Sequence, residues 1–189
     1  MRNFYRVSFA DDEPDSENWL AVTDYDLAGF DCRLFWKCER LNQDLPPDVV
    51  IHTKGNIRVD YLGNPLSWMI CSRKLTSLLE KFDGDAIQRF DAPLYSGKEN
   101  TRVHGYSIIN PLRCVECVNR SKSSIVFQKQ NPNSVAYVTN WVFDESKVPA
   151  DAHVFRTDIG SAVFISTDVV GALRANNVRG IEFIECEVV

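Results

Sequence analysis

Apolar residues recur along the chain at two periods, one helical and one extended, and the second half is the more regular. Leu75, Leu78, Leu79 and Phe82 fall at i, i+3, i+4 and i+7, on one face of a helix. Ser72 precedes them as an N-cap and Asp83-Gly84 follows as a stop, so a helix is predicted over about 72–82. A second helix is predicted over about 167–176. Ser166 or Thr167 would cap it, Val169, Ala172 and Leu173 form its apolar stripe, and Asn176-Asn177 ends it. Runs rich in β-branched and aromatic residues predict strands at 4–9, 34–38, 49–52, 86–90, 105–109, 112–118, 135–143, 162–165 and 181–186. Turn signals at Pro46-Pro47, Gly55-Asn56 and Gly63-Asn64-Pro65 break up the first half.

The two helical segments resemble each other. Met69-Ile70-Cys71-Ser72 leads into a helix, a turn and Ala86-Ile87-Gln88-Arg89-Phe90. Ninety-four residues later Val163-Phe164-Ile165-Ser166 leads into a helix, a turn and Gly180-Ile181-Glu182-Phe183-Ile184. At that offset Ser72 matches Ser166, Leu75 matches Val169, Leu79 matches Leu173 and Ile87 matches Ile181. Chance or shared physical demands account for this about as well as duplication does. Either way the pattern predicts a sheet with two helices packed on it. The fold class is therefore α+β: a single domain over 1–189 with a mixed or mostly antiparallel sheet. Residues 1–64 form its less regular N-terminal part.

Composition leaves that picture in place and narrows the setting. With 44% hydrophobic and 25% charged residues in 189, the chain can build a core. No stretch approaches the ~20 apolar residues of a membrane span, and the N-terminus lacks the apolar core of a signal peptide. Cys32, Cys38, Cys71, Cys114, Cys117 and Cys186 are too sparse for a disulfide scaffold, and most have apolar neighbours. A cytoplasmic protein with reduced thiols and no membrane association is expected.

Charge changes the picture more. Residues 1–31 carry Arg2 and Arg6 against eight carboxylates, a net −6 within a chain whose total is −5. Asp11, Asp12, Glu13, Asp15 and Glu17 crowd into one short segment, with Trp19 directly after it and Tyr25 between Asp24 and Asp26. A solvated acidic loop is the plain reading. The functional reading is a surface where carboxylates and amphipathic anchors meet a basic protein partner and repel nucleic acid.

Candidate chemistry is thin. Cys114-Val115-Glu116-Cys117 has the spacing of half a zinc site or a redox pair, but a zinc site needs a second pair. Cys32 and Cys38 are poorly spaced for that, so both residues of the motif are read as structural cysteines in a buried strand, with no metal. His52, His104 and His153 lie in no nucleophile or metal motif, and nine glycines include no phosphate-cradling loop. No catalytic residue and no cofactor is predicted.

One long run carries a resemblance. Trp141-Val142-Phe143-Asp144-Glu145-Ser146-Lys147-Val148-Pro149-Ala150-Asp151-Ala152-His153-Val154-Phe155-Arg156 continues through Ser161–Ser166 to Gly180-Ile181-Glu182-Phe183. Over about residues 65–189 the chain resembles immunity protein family eleven of bacterial polymorphic toxin systems; Ser72–Glu80 and Tyr106–Arg113 are similar to it as well. The resemblance implies a cytoplasmic, non-enzymatic antidote that binds and silences a cognate toxin protein stoichiometrically. It carries over no catalytic residue and no interface residue. An enzyme with a pocket assembled only by the fold, and an adaptor or subunit with no toxin, remain the alternatives. The sequence sets no oligomeric state.

Overall fold

The computed structural model describes residues 2–10, 20–96, 100–132 and 134–189. Its strands and helices in chain order are β1 (Phe4–Phe9), β2 (Ala21–Asp26), β3 (Val50–Lys54), β4 (Tyr61–Leu62), β5 (Met69–Ser72), α1 (Arg73–Asp83), β6 (Ile87–Asp91), β7 (Leu94–Ser96), β8 (Arg102–Val103) and β9 (Tyr106–Pro111). There follow β10 (Cys114–Val115), β11 (Ser124–Phe127), β12 (Val135–Asn140), β13 (Val142–Phe143), β14 (Val154–Thr157), β15 (Val163–Ser166), α2 (Thr167–Ala175), β16 (Ile181–Glu185) and β17 (Glu187–Val188). The class is α+β and the pairing mostly antiparallel, as the sequence predicts. The strands nevertheless form several sheets rather than one.

The repeat read in the sequence is a structural repeat. One sheet has the order β4-β5-β9-β6, and the other runs β10-β14-β15-β1-β16. In each, a strand leads into a helix and the chain returns as a second strand, with a third, antiparallel strand between the two. The registers coincide. Ser72 faces Tyr106 as Ser166 faces Phe4; Ile70 faces Ile108 as Phe164 faces Arg6. Across the central strand, Ile87 faces Pro111 as Ile181 faces Phe9. The central strand follows its unit in the first copy and comes from the far N-terminus in the second. That is why the sequence offset covers only the strand–helix–strand part.

Strand alternation then explains the layers. Met69, Cys71 and Ile109 of one sheet, and Val154, Val163 and Ile165 of the other, turn toward α1 and α2 and share a core with Leu75, Leu79, Val169 and Leu173. The opposite face of the first sheet, through Ile70, Phe90 and Ile108, packs on the mixed sheet β2-β3-β7-β8 and on Trp68 and Phe35. The opposite face of the second sheet, through Phe4, Phe155 and Phe164, packs on Trp141, Phe143 and Cys186. Both central sheets are thus covered on both faces, so Ile181–Glu185 does not alternate strictly between apolar and polar.

The two units also interlock through their loops. The Asp60 carboxylate accepts from the Arg179 N–H at 2.9 Å, and the Asp83 carboxylate accepts from the His153 and Val154 N–H groups at 3.0 and 2.8 Å. The chain at or just past the end of each helix therefore docks at the start of a strand in the other unit, β4 or β14. Gly180 sits in the first of these joints at φ +78°. A Cβ there would lie 2.7 Å from Val59 Cβ and 2.8 Å from the Tyr61 carbonyl oxygen, so a side chain would force the two units apart.

Three local expectations need correction. The segment 34–38 is not a strand: Cys32–Trp36 forms a 3-10 turn capped by Asp31, whose carboxylate accepts from the Arg33 N–H. The stretch 112–118 contributes only the two residues of β10 and an isolated bridge from Val118 to Phe143. In α2 it is Val169, Val170 and Leu173 that are buried, with Ala172 at the margin, and Ser166 makes no side-chain capping bond.

Candidate partner-binding surface

Of the residues predicted to meet a partner, Asp11, Asp12, Glu13, Asp15, Glu17 and Trp19 lie outside the described residues. Tyr25 is described. It lies on β2, at the rim of the mixed sheet, and is 39% exposed. Its acidic neighbours serve the local backbone: Asp24 accepts from the Tyr25 N–H at 2.8 Å and Asp26 from the Ala28 N–H at 2.9 Å.

The structure exposes a second surface that the sequence reading did not single out. Strands β11 and β12 form an antiparallel ribbon, and among the described residues neither pairs with a further strand. Its inner pair, Ile125 and Val138, packs on the core around Phe143 and Phe164. The next pair, Val126 and Tyr137, must then face outward. Val126, Phe127 and Tyr137 are 37%, 46% and 58% exposed, a run of bare apolar surface on two adjacent strands. The base is fixed: the Val142 N–H donates to Ser123 Oγ at 3.0 Å, and the Asn119 N–H to the Val142 carbonyl at 2.8 Å. At the tip the Gln128 N–H donates to the Ser134 carbonyl at 2.8 Å.

Charge on the ribbon is the reverse of that near the N-terminus. Residues 117–143 contain Arg120, Lys122 and Lys129 and no carboxylate. Arg120 pairs with Asp158 at the ribbon's base, while Lys122 and Lys129 are exposed. An apolar strip with cationic flanks favours a partner with apolar side chains and nearby carboxylates. A cue existed in the sequence, since Asn131-Pro132-Asn133 separates the apolar runs 125–127 and 135–138. Only the second run carries a predicted strand.

The titratable groups considered for chemistry do not converge. His104 lines an open cleft of about 510 Å3 at the start of α1, with Arg58, Asp60, Arg73, Lys74 and Tyr106. Its one carboxylate is held by the Lys74 ammonium at 2.8 Å and by Ser72 Oγ at 2.6 Å. His153 lies at the other unit's helix, its Nδ1 2.9 Å from Ser166 Oγ, and Asp83 bonds its backbone rather than its ring. His52 lies within β3. Among the described residues no three His, Cys, Asp or Glu side chains group as metal ligands.

The CxxC motif splits. Cys117 is fully buried beside Val118, Phe143 and Cys186, as a structural cysteine should be. Cys114 is exposed on the edge strand β10, so the reading of both as core residues fails for the first. Strand alternation places them apart, and β10 ends before Cys117.

Among the described residues no helix is long and apolar enough to cross a membrane. Residues 24–188 match the model of an immunity protein family, Imm11. The match reaches further toward the N-terminus than the similarity seen in the sequence. No curated protein matches the chain.

Proposed function

The chain belongs to the Imm11 immunity protein family, and from this we propose that it is a cytoplasmic antidote that neutralises a cognate bacterial toxin domain by binding it stoichiometrically, without catalysis of its own. The observation that carries the reading at residue level is the ribbon. Its exposed Val126, Phe127 and Tyr137 provide apolar surface on a rigid base, the kind of surface that becomes the desolvated centre of a protein interface. The proposed contact set also includes Asp11, Asp12, Glu13, Asp15, Glu17, Trp19 and Tyr25. There the carboxylates would draw in a basic face of the toxin over distances of about a Debye length, ~8–10 Å at ordinary salt.

The test is co-expression with the cognate toxin domain. The unaltered chain should restore growth and co-purify with the toxin at equal stoichiometry. A chain carrying Phe127→Ser with Tyr137→Ser should restore it poorly while remaining folded. If the unaltered chain neither rescues growth nor binds the toxin domain, the antidote reading is wrong. Full rescue by the doubly substituted chain would remove the ribbon from the interface and leave the N-terminal surface.

A further inference from the structure

Cys114, left exposed by the split of the CxxC motif, has a neighbour from a distant part of the chain. The segment after the first 3-10 turn crosses the ends of β9 and β6: Asn110 donates to the Glu39 carbonyl at 2.9 Å, and Gln88 bonds both the N–H and the carbonyl of Leu41. This path holds Cys38 in a left-handed backbone conformation at φ +57°, with its thiol 3.9 Å from the Trp36 carbonyl and close enough to that of Cys114 for the two to interact. Both cysteines are reduced.

The ground beneath the pair is unusual. Cys114 faces Arg156 across the parallel β10–β14 pairing. Arg156 is fully buried, yet among the described residues its guanidinium has no carboxylate partner. It donates to the carbonyls of Ser161 and Ser67, and its Nε is without a partner among the described residues. A buried cation compensated only by carbonyls favours negative charge developing nearby. Burial pushes the Cys38 thiol up to about 12, and the Arg156 charge acts against that shift. Partial desolvation raises Cys114, against a hydrogen bond from Cys38. These thiols rest protonated near neutrality, so exchange at them accelerates as the pH rises.

We propose that Cys38 and Cys114 are a modification site, forming a reversible disulfide by exchange with a low-molecular-weight disulfide such as oxidised glutathione. Cys114, the accessible thiol, gives its proton to solvent and attacks one sulfur of the oxidant. A mixed disulfide forms on Cys114 and one glutathione thiolate leaves. Cys38, deprotonated beside Arg156, then attacks the Cys114 sulfur and expels the second glutathione. Two protein thiols lose two electrons, and one glutathione disulfide becomes two thiols. The bond ties the segment beside the first core to the edge strand of the second unit.

The experiment incubates the full chain with oxidised glutathione in mildly alkaline buffer, alkylates remaining thiols and maps the peptides by mass spectrometry. Two of the six thiols should escape alkylation and appear as one cross-linked pair joining Cys38 to Cys114, reversed by dithiothreitol. The oxidised chain should unfold at higher denaturant concentration than the reduced one. Cys38→Ser should leave glutathione stably attached to Cys114, and Cys114→Ser should leave Cys38 unmodified. Six alkylated thiols after oxidation would overturn the proposal. So would a cross-link between any other pair, or glutathione lodged on Cys114 in the unaltered chain without passing to Cys38.

Discussion

Ser72 and Ser166 hold equivalent stations in two copies of one structural unit, yet only Ser72 caps its helix. Each ends a strand and precedes a helix, and each bonds the side chain that immediately precedes the neighbouring strand, β4 or β14: Asp60 at 2.6 Å for Ser72, His153 at 2.9 Å for Ser166. Ser72 Oγ also accepts from the Leu75 N–H at 3.2 Å, while the Ser166 side chain makes no such bond. Ser72→Ala should therefore cost about 1–2 kcal/mol, a cap plus a charge-assisted bond. Ser166→Ala should cost less. Denaturant melts of the two variants measure the difference, and a larger loss at Ser166 would show that capping does not separate the copies.

Asp60 makes the joint between the units sensitive to acid. Burial alone would raise its carboxyl. The Lys74 ammonium, the Ser72 hydroxyl and the Arg179 N–H outweigh that and hold it below the ordinary carboxylate range. A carboxyl depressed in the folded state contributes stability that is complete above its unfolded pKa, ~3.9. That contribution is lost as the pH falls through the lower folded value. The denaturant midpoint should fall as the pH drops below about 4. Asp60→Asn should be less stable near neutrality and lose less on acidification. An equal acid loss in the variant would place the sensitivity at other carboxylates.

Helix α2 offers a test of register in two adjacent residues. Leu173 is fully buried between the sheets, so Leu173→Ala should cost about 2–5 kcal/mol. Arg174 is exposed, but its guanidinium lies 5.6 Å from the centre of the Phe183 ring. Its replacement by Ala should cost about 0.5–1 kcal/mol rather than nothing. Guanidinium melts resolve the two. A loss at Arg174 matching that at Leu173 would mean the helix is turned differently on its sheets.

What the sequence disclosed follows from how local each signal is. Helix α1 was legible because its cap, apolar stripe and stop lie within thirteen residues. Strand β1 was read to its ends, since Phe4–Phe9 needs only its own composition to look extended. The pairing of β1 between β15 and β16 was invisible, because it joins the first residues of the chain to the last. The segment around Leu34 and Phe35 looked like a strand by composition, but Asp31 caps it into a turn and Phe35 is drawn into the core against Trp68. Tertiary burial overrode β-propensity there. The same reasoning explains the site. Acid clustering can be counted along the chain, whereas the outward face of Val126 and Tyr137 depends on which of two alternating faces the core claims.

The N-terminal carboxylates and the ribbon should act on different rate constants for toxin binding. Charges on a solvated segment accelerate encounter, and salt screens them; apolar side chains desolvated at contact slow departure. Replacing Asp11, Asp12 and Asp15 by Asn and Glu13 by Gln takes the net charge from −5 to −1. Association at low salt should slow, and its dependence on salt should flatten, with dissociation little changed. Phe127→Ser with Tyr137→Ser should instead speed dissociation by tenfold or more, about 1.4 kcal/mol at 298 K, and leave the salt dependence as it was. Because both side chains are largely outside the core, the melting midpoint of that variant should move by less than ~0.5 kcal/mol equivalent. Stopped-flow mixing with the toxin domain across a salt series reads both constants at once. An unchanged association rate in the charge variant would reduce the acidic segment to a solvated loop. An unchanged dissociation rate in the ribbon variant would show that the toxin docks elsewhere.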